Sequence, residues 1–310
     1  MPQNLRTKTN RVILGGLALF FCLCFSPAFA DNSPPQVIEI KPSSGISNPD
    51  QEILFTTIFS DPDGWQDIQC VSLLIGISDN SREAHFVQYN LNSNKLNVYS
   101  NYQRPVFSGL ANLWNQVSNF FAFIRAPSRS IWPVTNTVGS SPGSNNIIEN
   151  SYLKLNCAKT TISVQGNTLT IYWAVTFKPG FSGLKKTYLS AKDNVSHSTG
   201  WIQKGTWFIN APPKIISLTP SDKSTFNITG AIEISINAID PDKDPLEYKY
   251  FLDDRIIQDW TKVSQYSFRP SLTDKGKHNL KIEVRDNIGG STSKIISIYI
   301  FRDFPKPPNE

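Results

Sequence analysis

The sequence predicts an all-β chain made of two tandem β-sandwiches, the first carrying a helical insertion. Three observations predict it. Apolar and polar residues alternate in short runs, most clearly at Ile53/Phe55/Thr57/Phe59 and Ile232/Ile234/Ile236/Ala238, and a period of two marks a half-buried strand. Each run ends in an acidic turn, Asp61-Pro62-Asp63-Gly64-Trp65-Gln66-Asp67 in one copy and Asp240-Pro241-Asp242-Lys243-Asp244-Pro245 in the other. Each half then reaches a second signal, Ala191-Lys192-Asp193-Asn194 or Val284-Arg285-Asp286-Asn287, so the chain reads as a duplication.

Taken in order, the chain opens with Arg6, Lys8 and Arg11, the apolar run Val12 to Phe25, and Ser26-Pro27-Ala28-Phe29-Ala30. A charged start, an apolar run too short for a bilayer and small residues at the −3 and −1 positions make residues 1–30 a secretory signal peptide, cleaved between Ala30 and Asp31. An uncleaved anchor is the competing reading, against which the Ala-x-Ala site argues. The residues before Cys22 and Cys24 are too bulky for a lipoprotein cleavage box. Loss of Arg6, Lys8 and Arg11 leaves 27 of the 30 basic residues against 25 acidic ones, a net charge of +2. No Lys/Arg stripe gathers, so nucleic acid is not an expected partner. No later segment is apolar enough to span a membrane, and the expected location is outside the cytoplasm, in a periplasm or at a cell surface.

Of four cysteines, only Cys70 and Cys157 follow the signal segment. A disulfide between them fits an oxidising compartment, and two separate buried thiols fit equally, because sequence alone does not bring two Cα atoms within bridging reach. His85, His197 and His278 show no zinc-ligand spacing among themselves or with these cysteines.

Residues 31–210 form the first expected domain. Pro34-Pro35 leads into a strand at Val37–Ile40. Leu169, Ile171, Trp173, Val175 and Phe177 alternate inward along Asn167–Phe177, Thr187–Lys192 leads into Asp193, and Gly205–Ile209 closes the unit. Between about residues 100 and 150 lies an expansion. In it Leu110, Leu113, Trp114, Val117, Phe120, Phe121 and Ile124 recur at helical spacing, which predicts an amphipathic helix over 108–126 ended by Pro127. Pro212-Pro213 repeats the opening and starts the second domain, 211–302, since paired prolines favour a stiff extended link. Its strands read as Lys214–Leu218, Ala231–Ile239, Leu246–Leu252, Ile256–Trp260, Gln265–Arg269, Lys277–Arg285 and Lys294–Phe301. Seven short strands in about a hundred residues is the count of an immunoglobulin-like sandwich. Residues 303–310 are a proline-rich tail.

Residues 214–301, through Ala238-Ile239-Asp240-Pro241-Asp242, Asp244-Pro245-Leu246-Glu247-Tyr248 and Val284-Arg285-Asp286-Asn287-Ile288-Gly289-Gly290, resemble the PKD and cadherin-like, fibronectin type III-like repeats of bacterial surface and secreted proteins. Residues 35–209 are similar to a larger bacterial Ig-like module, through Ser60-Asp61-Pro62-Asp63-Gly64, Glu149-Asn150-Ser151-Tyr152, Gly166-Asn167-Thr168-Leu169-Thr170, Val175-Thr176-Phe177-Lys178-Pro179 and Gly205-Thr206-Trp207. The resemblance implies a β-sandwich pair used for presentation, adhesion or spacing and brings no catalytic residue with it; the expected partner is a protein or glycan at the cell surface. The helix over 108–126 departs from it.

Asp61, Asp63, Asp67 and Asp193 in the first domain, and Asp240, Asp242, Asp244 and Asp286 in the second, are the candidate metal ligands. The turns after the second and sixth strands of a sandwich emerge at one end, and converging carboxylates with turn carbonyls suit Ca²⁺. The alternative is turn capping, in which the same aspartates accept from nearby backbone N–H groups. No cofactor is required by the sequence; Ca²⁺ is the ion these turns would take. The stripe Leu110–Ile124 either packs on its own domain or meets a partner. The seven tryptophans are expected mostly in cores or edges, with Trp114 and Trp132 as the two to test for a sugar. No phosphate loop or His-Glu-x-x-His occurs, and no histidine stands beside a Ser or Cys nucleophile in a recognised pattern, so the chain is read as non-catalytic. The expected role is an interaction or adhesion module, with a carbohydrate-binding accessory protein and a ligand-free spacer as alternatives.

Overall fold

The structure, a computed structural model, describes residues 32–79, 84–100 and 139–302. Strands make up most of the described residues, arranged as four sheets in two sandwiches. In the first sandwich one sheet runs β1 (Gln36–Lys41), β3 (Glu52–Ser60), β10 (Thr168–Phe177), β8 (Leu153–Asn156) and β7 (Ile147–Glu149), with β9 (Thr161–Gln165) also on β10. The facing sheet runs β2 (Ser44–Ser47), β12 (Ile202–Ile209), β11 (Gly183–Asp193), β4 (Ile68–Gly76), β5 (His85–Asn90) and β6 (Lys95–Ser100).

The second sandwich repeats this plan with fewer strands. One sheet is β13 (Lys214–Thr219), β15 (Ile232–Ile239) and β18 (Gln265–Phe268); the other is β14 (Ser224–Asn227), β20 (Ser291–Phe301), β19 (Gly276–Arg285), β16 (Glu247–Leu252) and β17 (Arg255–Thr261). In both copies the opening strand switches sheets at a cis proline, Lys41-Pro42 or Thr219-Pro220. The piece after the switch pairs in parallel with the last strand, Ser44–Ser47 on Thr206–Ile209 and Ser224–Asn227 on Ile298–Phe301. Every other pairing between named strands is antiparallel. That strand order is an immunoglobulin-like, fibronectin III-like sandwich, present twice.

The alternating residues land inside. Phe55, Phe59, Leu169, Ile171, Trp173, Val175 and Phe177 are sealed in the first core, and Ile232, Leu280, Ile282 and Val284 in the second. Burying an indole leaves its N–H in need of an acceptor. Trp173 Nε1 donates to Thr57 Oγ1 at 2.8 Å, and Trp207 Nε1 to Ser47 Oγ at 2.9 Å. The Asp253-Asp254 turn has both residues at positive φ, 48° and 67°, which suits a tight hairpin between β16 and β17.

The helix expected over 108–126, with Leu110, Leu113, Trp114, Val117, Phe120, Phe121 and Ile124, lies outside the described residues, as do Trp132, the signal segment with Ala30 and Asp31, and the tail from 303. Among the described residues no helix is long and apolar enough to cross a membrane. Cys70 and Cys157 are both free thiols, so no bridge joins them. The reason lies in the strand faces. Val71, Leu73 and Ile75 fill the core from β4, while Cys70 lines a shallow outer depression with Gln69, Gln88, Asn90, Tyr99 and Lys192; Cys157 is sealed in the core. Burial pushes both thiols up.

Candidate metal centres

The acidic turns begin where two core strands run out. On β3 the inward residues are Phe55, Thr57 and Phe59, and the next inward position is Asp61, fully buried. On β11 Leu189 and Ala191 face the core, and Asp193 follows, also fully buried. Strand periodicity therefore sets two carboxylates at core positions of facing sheets, at one end of the sandwich. The second copy follows the same order, Ile232, Ile234 and Ile236 before Asp240 and Leu280, Ile282 and Val284 before Asp286, but there only Asp286 is buried and Asp240 is half-buried.

Local hydrogen bonds shape each turn. Asp63 N donates to Asp61 Oδ1 at 2.9 Å, and Asp242 N to Asp240 Oδ1 at 2.8 Å, the same Asx turn in both copies. The chain leading into each sandwich is caught by the second aspartate: Ser33 N donates to Asp63 Oδ2 at 2.6 Å, and Ala211 N to Asp242 Oδ2 at 2.7 Å. The fourth turn residue has positive φ in both copies, Gly64 at 112° and Lys243 at 68°.

Beyond that the two copies differ. In the first, Asp61, Asp67 and Asp193 each bring an oxygen to within 4.8 Å of the other two. Asp67 comes from the 3₁₀ turn Trp65–Asp67, which is pinned by Asn194: its N donates to Asp67 O at 2.9 Å and its Nδ2 to Gln66 O at 3.2 Å. Asp193 Oδ1 accepts from His197 N at 2.7 Å, and its Oδ2 lies 3.0 Å from His197 Nδ1. Asp61 Oδ2 is enclosed without a hydrogen-bond partner. Burial holds the Asp61 carboxyl above its ordinary range; the Asp63 amide partly offsets this, and the carboxylates of Asp67, Asp63 and Asp193 add to it.

In the second copy the close trio is Asp240, Asp242 and Asp244. Burial raises Asp244, with Asp240, Asp286 and Asp242 adding to it, and Oδ2 of both Asp240 and Asp244 lacks a hydrogen-bond partner. Asp286 is engaged on both oxygens. Its Oδ1 accepts from the N–H groups of Ile288, Gly289 and Gly290 at 2.7–2.8 Å, and its Oδ2 from Asn210 Nδ2 at 2.7 Å. Of the eight predicted aspartates, the structure thus assembles two groups of three. Asp63 binds the incoming chain, and Asp286 caps its turn.

Asn210, fully buried, was missed as a functional residue. It is the last residue before the second sandwich, and its Nδ2 reaches both Asp286 of that sandwich and Asn48 Oδ1 of the first, at 2.8 Å. Asn48 Nδ2 in turn donates to Ile288 O at 3.4 Å. The signal was present as the repeated Asn-x-Pro-Pro at 32–35 and 210–213. Also unforeseen is a ladder on the outer face of the second sandwich. Arg285 stacks 4.0 Å from the Trp260 ring centre, and Lys249 and Lys281 lie 5.5 and 5.0 Å from Phe251. Each cation is paired, with Glu247, Asp259 and Glu283 respectively for Arg285, Lys249 and Lys281.

No protein-family model matches the chain, and no curated protein matches it. Among solved structures, the fibronectin(III)-like modules of Clostridium thermocellum CbhA align over 86% of this chain and 94% of theirs, at 10% identity and a TM-score of 0.29. The Ig1 and Ig2 domains of DIP-gamma align over 87% and 99%, at 10% identity and 0.31, and the tandem Ig repeats of Dlar over 87% and 99%, at 8% and 0.25. At such values the fold assignment rests on the strand order itself.

Proposed function

We propose that this chain is a non-catalytic interaction or adhesion module, exported from the cytoplasm through residues 1–30, in which domains 31–210 and 211–302 act as one stiff pair towards a protein or glycan at a cell surface. The junction carries this reading. Asn210 bridges Asn48 and Asp286, Ala211 N is held by Asp242, and Asn48 reaches Ile288 O, so residues of both sandwiches share one hydrogen-bond network across a link that continues into Pro212-Pro213. Ca²⁺ on Asp240, Asp242 and Asp244 would neutralise the turn that holds Ala211 and stiffen the pair further.

Small-angle scattering of residues 31–310 tests it. The expected result is one narrow interdomain arrangement, tightened in millimolar Ca²⁺ and broadened in Asn210→Ala. A wild-type distribution as broad as that of Asn210→Ala, with and without Ca²⁺, would overturn the stiff-pair reading.

A further inference from the structure

We propose that Asp61, Asp67 and Asp193 form a Ca²⁺ site inside the first sandwich, separate from the junction and needing no ion there. Three observations meet at this point. The carboxylates come from three elements, the end of β3, the 3₁₀ turn and the end of β11, and their oxygens lie within 4.8 Å of one another. Asp61 and Asp193 are fully buried at positions that strand alternation gives to core side chains. Asp61 Oδ2, on the carboxyl flanked by Asp67 and Asp193, has no donor at all.

A buried carboxylate oxygen without a donor is costly, and neighbouring carboxylates raise that cost. The second sandwich supplies an internal comparison. Its equivalent of Asp193 is Asp286, which is stabilised by three turn amides and Asn210. Asp193 receives one backbone N–H and one contact from a half-exposed histidine. The same fold position thus has its own donors in one copy and lacks most of them in the other, and a cation is the partner that satisfies the first copy.

The donor set selects the ion. All three ligands are hard oxygens, with no Cys or His in the trio, which disfavours zinc. Ca²⁺ accepts irregular sets of 6–8 oxygens, so turn carbonyls and water can complete it, whereas Mg²⁺ demands near-octahedral ligands. The site is also held open in advance. Asn194 fixes the 3₁₀ turn and is itself held by Asn92 Nδ2 at 3.0 Å.

The test uses residues 31–310 stripped of metal, with thermal unfolding in EDTA and in about 10 mM Ca²⁺, and with Tb³⁺ as a luminescent probe excited through Trp65. Modules outside the cell bind Ca²⁺ with Kd of about 10⁻⁴ M or weaker, so the wild type should gain several degrees in Ca²⁺. Asp61→Asn keeps the acceptor for Asp63 N while removing the charge. It should unfold in EDTA at or above the wild-type temperature, showing that it folds, yet gain nothing from ions bound at this site and lose sensitised Tb³⁺ emission at least about tenfold. Asp240→Asn/Asp242→Asn should keep the Trp65-sensitised signal. Two results would overturn the proposal. One is a Ca²⁺ gain and Tb³⁺ signal that survive Asp61→Asn and vanish in Asp240→Asn/Asp242→Asn, which would leave the junction reading intact. The other is absence of Ca²⁺ and Tb³⁺ binding with Asp61→Asn stabilising equally in both buffers, which would make the trio a proton-sharing cluster.

Discussion

Acidification from pH 7 to 5 should cost the first sandwich about 2 kcal/mol through one residue, His85. Its imidazole is only 2% exposed. Tyr152 and Phe181 pack on the ring at 4.5 and 5.1 Å between centres. Nδ1 lies 3.1 Å from Ser100 Oγ and 3.5 Å from Asn150 Nδ2, and Nε2 is enclosed without a partner. Burial, with the Lys185 ammonium second, pushes the ring down to about 4 from 6.5. Between those values the unfolded chain binds the proton and the folded chain does not, so stability falls as pH falls through that window and levels off below it. The whole shift corresponds to roughly 3 kcal/mol, of which about 2 is spent by pH 5. Glu52, Asp253, Asp259 and Asp274 are held below their ordinary ranges; their stabilisation is present above the unfolded carboxylate values and lost at more acid pH. Urea midpoints followed by tryptophan fluorescence at pH 7, 6 and 5, for the wild type and His85→Gln, isolate the imidazole. Parallel profiles for the two proteins would refute the reasoning.

Three further substitutions probe the core and the acidic turns. Phe55→Ala removes a sealed ring set edge-on to Trp207 at 5.0 Å and should cost about 3–5 kcal/mol in chemical denaturation. Gly64→Ala forces a side chain onto φ 112° and ψ 151° and should cost about 1–3 kcal/mol by thermal unfolding, whereas Lys243→Ala, where an L-residue already stands at φ 68°, should move stability by under about 0.5 kcal/mol.

The parts of the fold legible in the sequence are those with local periodicity. The run Leu169 to Phe177 and the run Leu280 to Val284 face inward as alternation dictates, and all seven strands read in the second domain are present to within a few residues. What escaped is β4 to β9 of the first domain, where no strand is read from the sequence, and the short parallel pieces β2 and β14. Ser44-Gly45-Ile46-Ser47 and Ser224-Thr225-Phe226-Asn227 carry no alternation long enough to register, and their partners lie some 160 and 75 residues away. Gly45 does have a physical reason to be glycine, since a Cβ there would collide with the Trp207 ring. In the site, composition identified the aspartates, but which oxygens remain without donors depends on distant groups such as Asn210 and His197. The face of Cys70 was readable from Val71, Leu73 and Ile75, whose alternation turns it outward.

The two parallel pieces also decide how each sandwich responds to tension. A chain pulled from its ends first draws on β1 or β13, after which the load passes to β2 against β12, or β14 against β20. Because these pairs run parallel, one strand is pulled from its start and its neighbour from its end, so they are dragged past each other in shear. The rungs from Ser44 to Ser47, and those from Ser224 to Asn227, then share the force and must yield together rather than open one by one. The four short rungs at each lock are therefore where each sandwich is expected to resist when the chain is pulled from its ends.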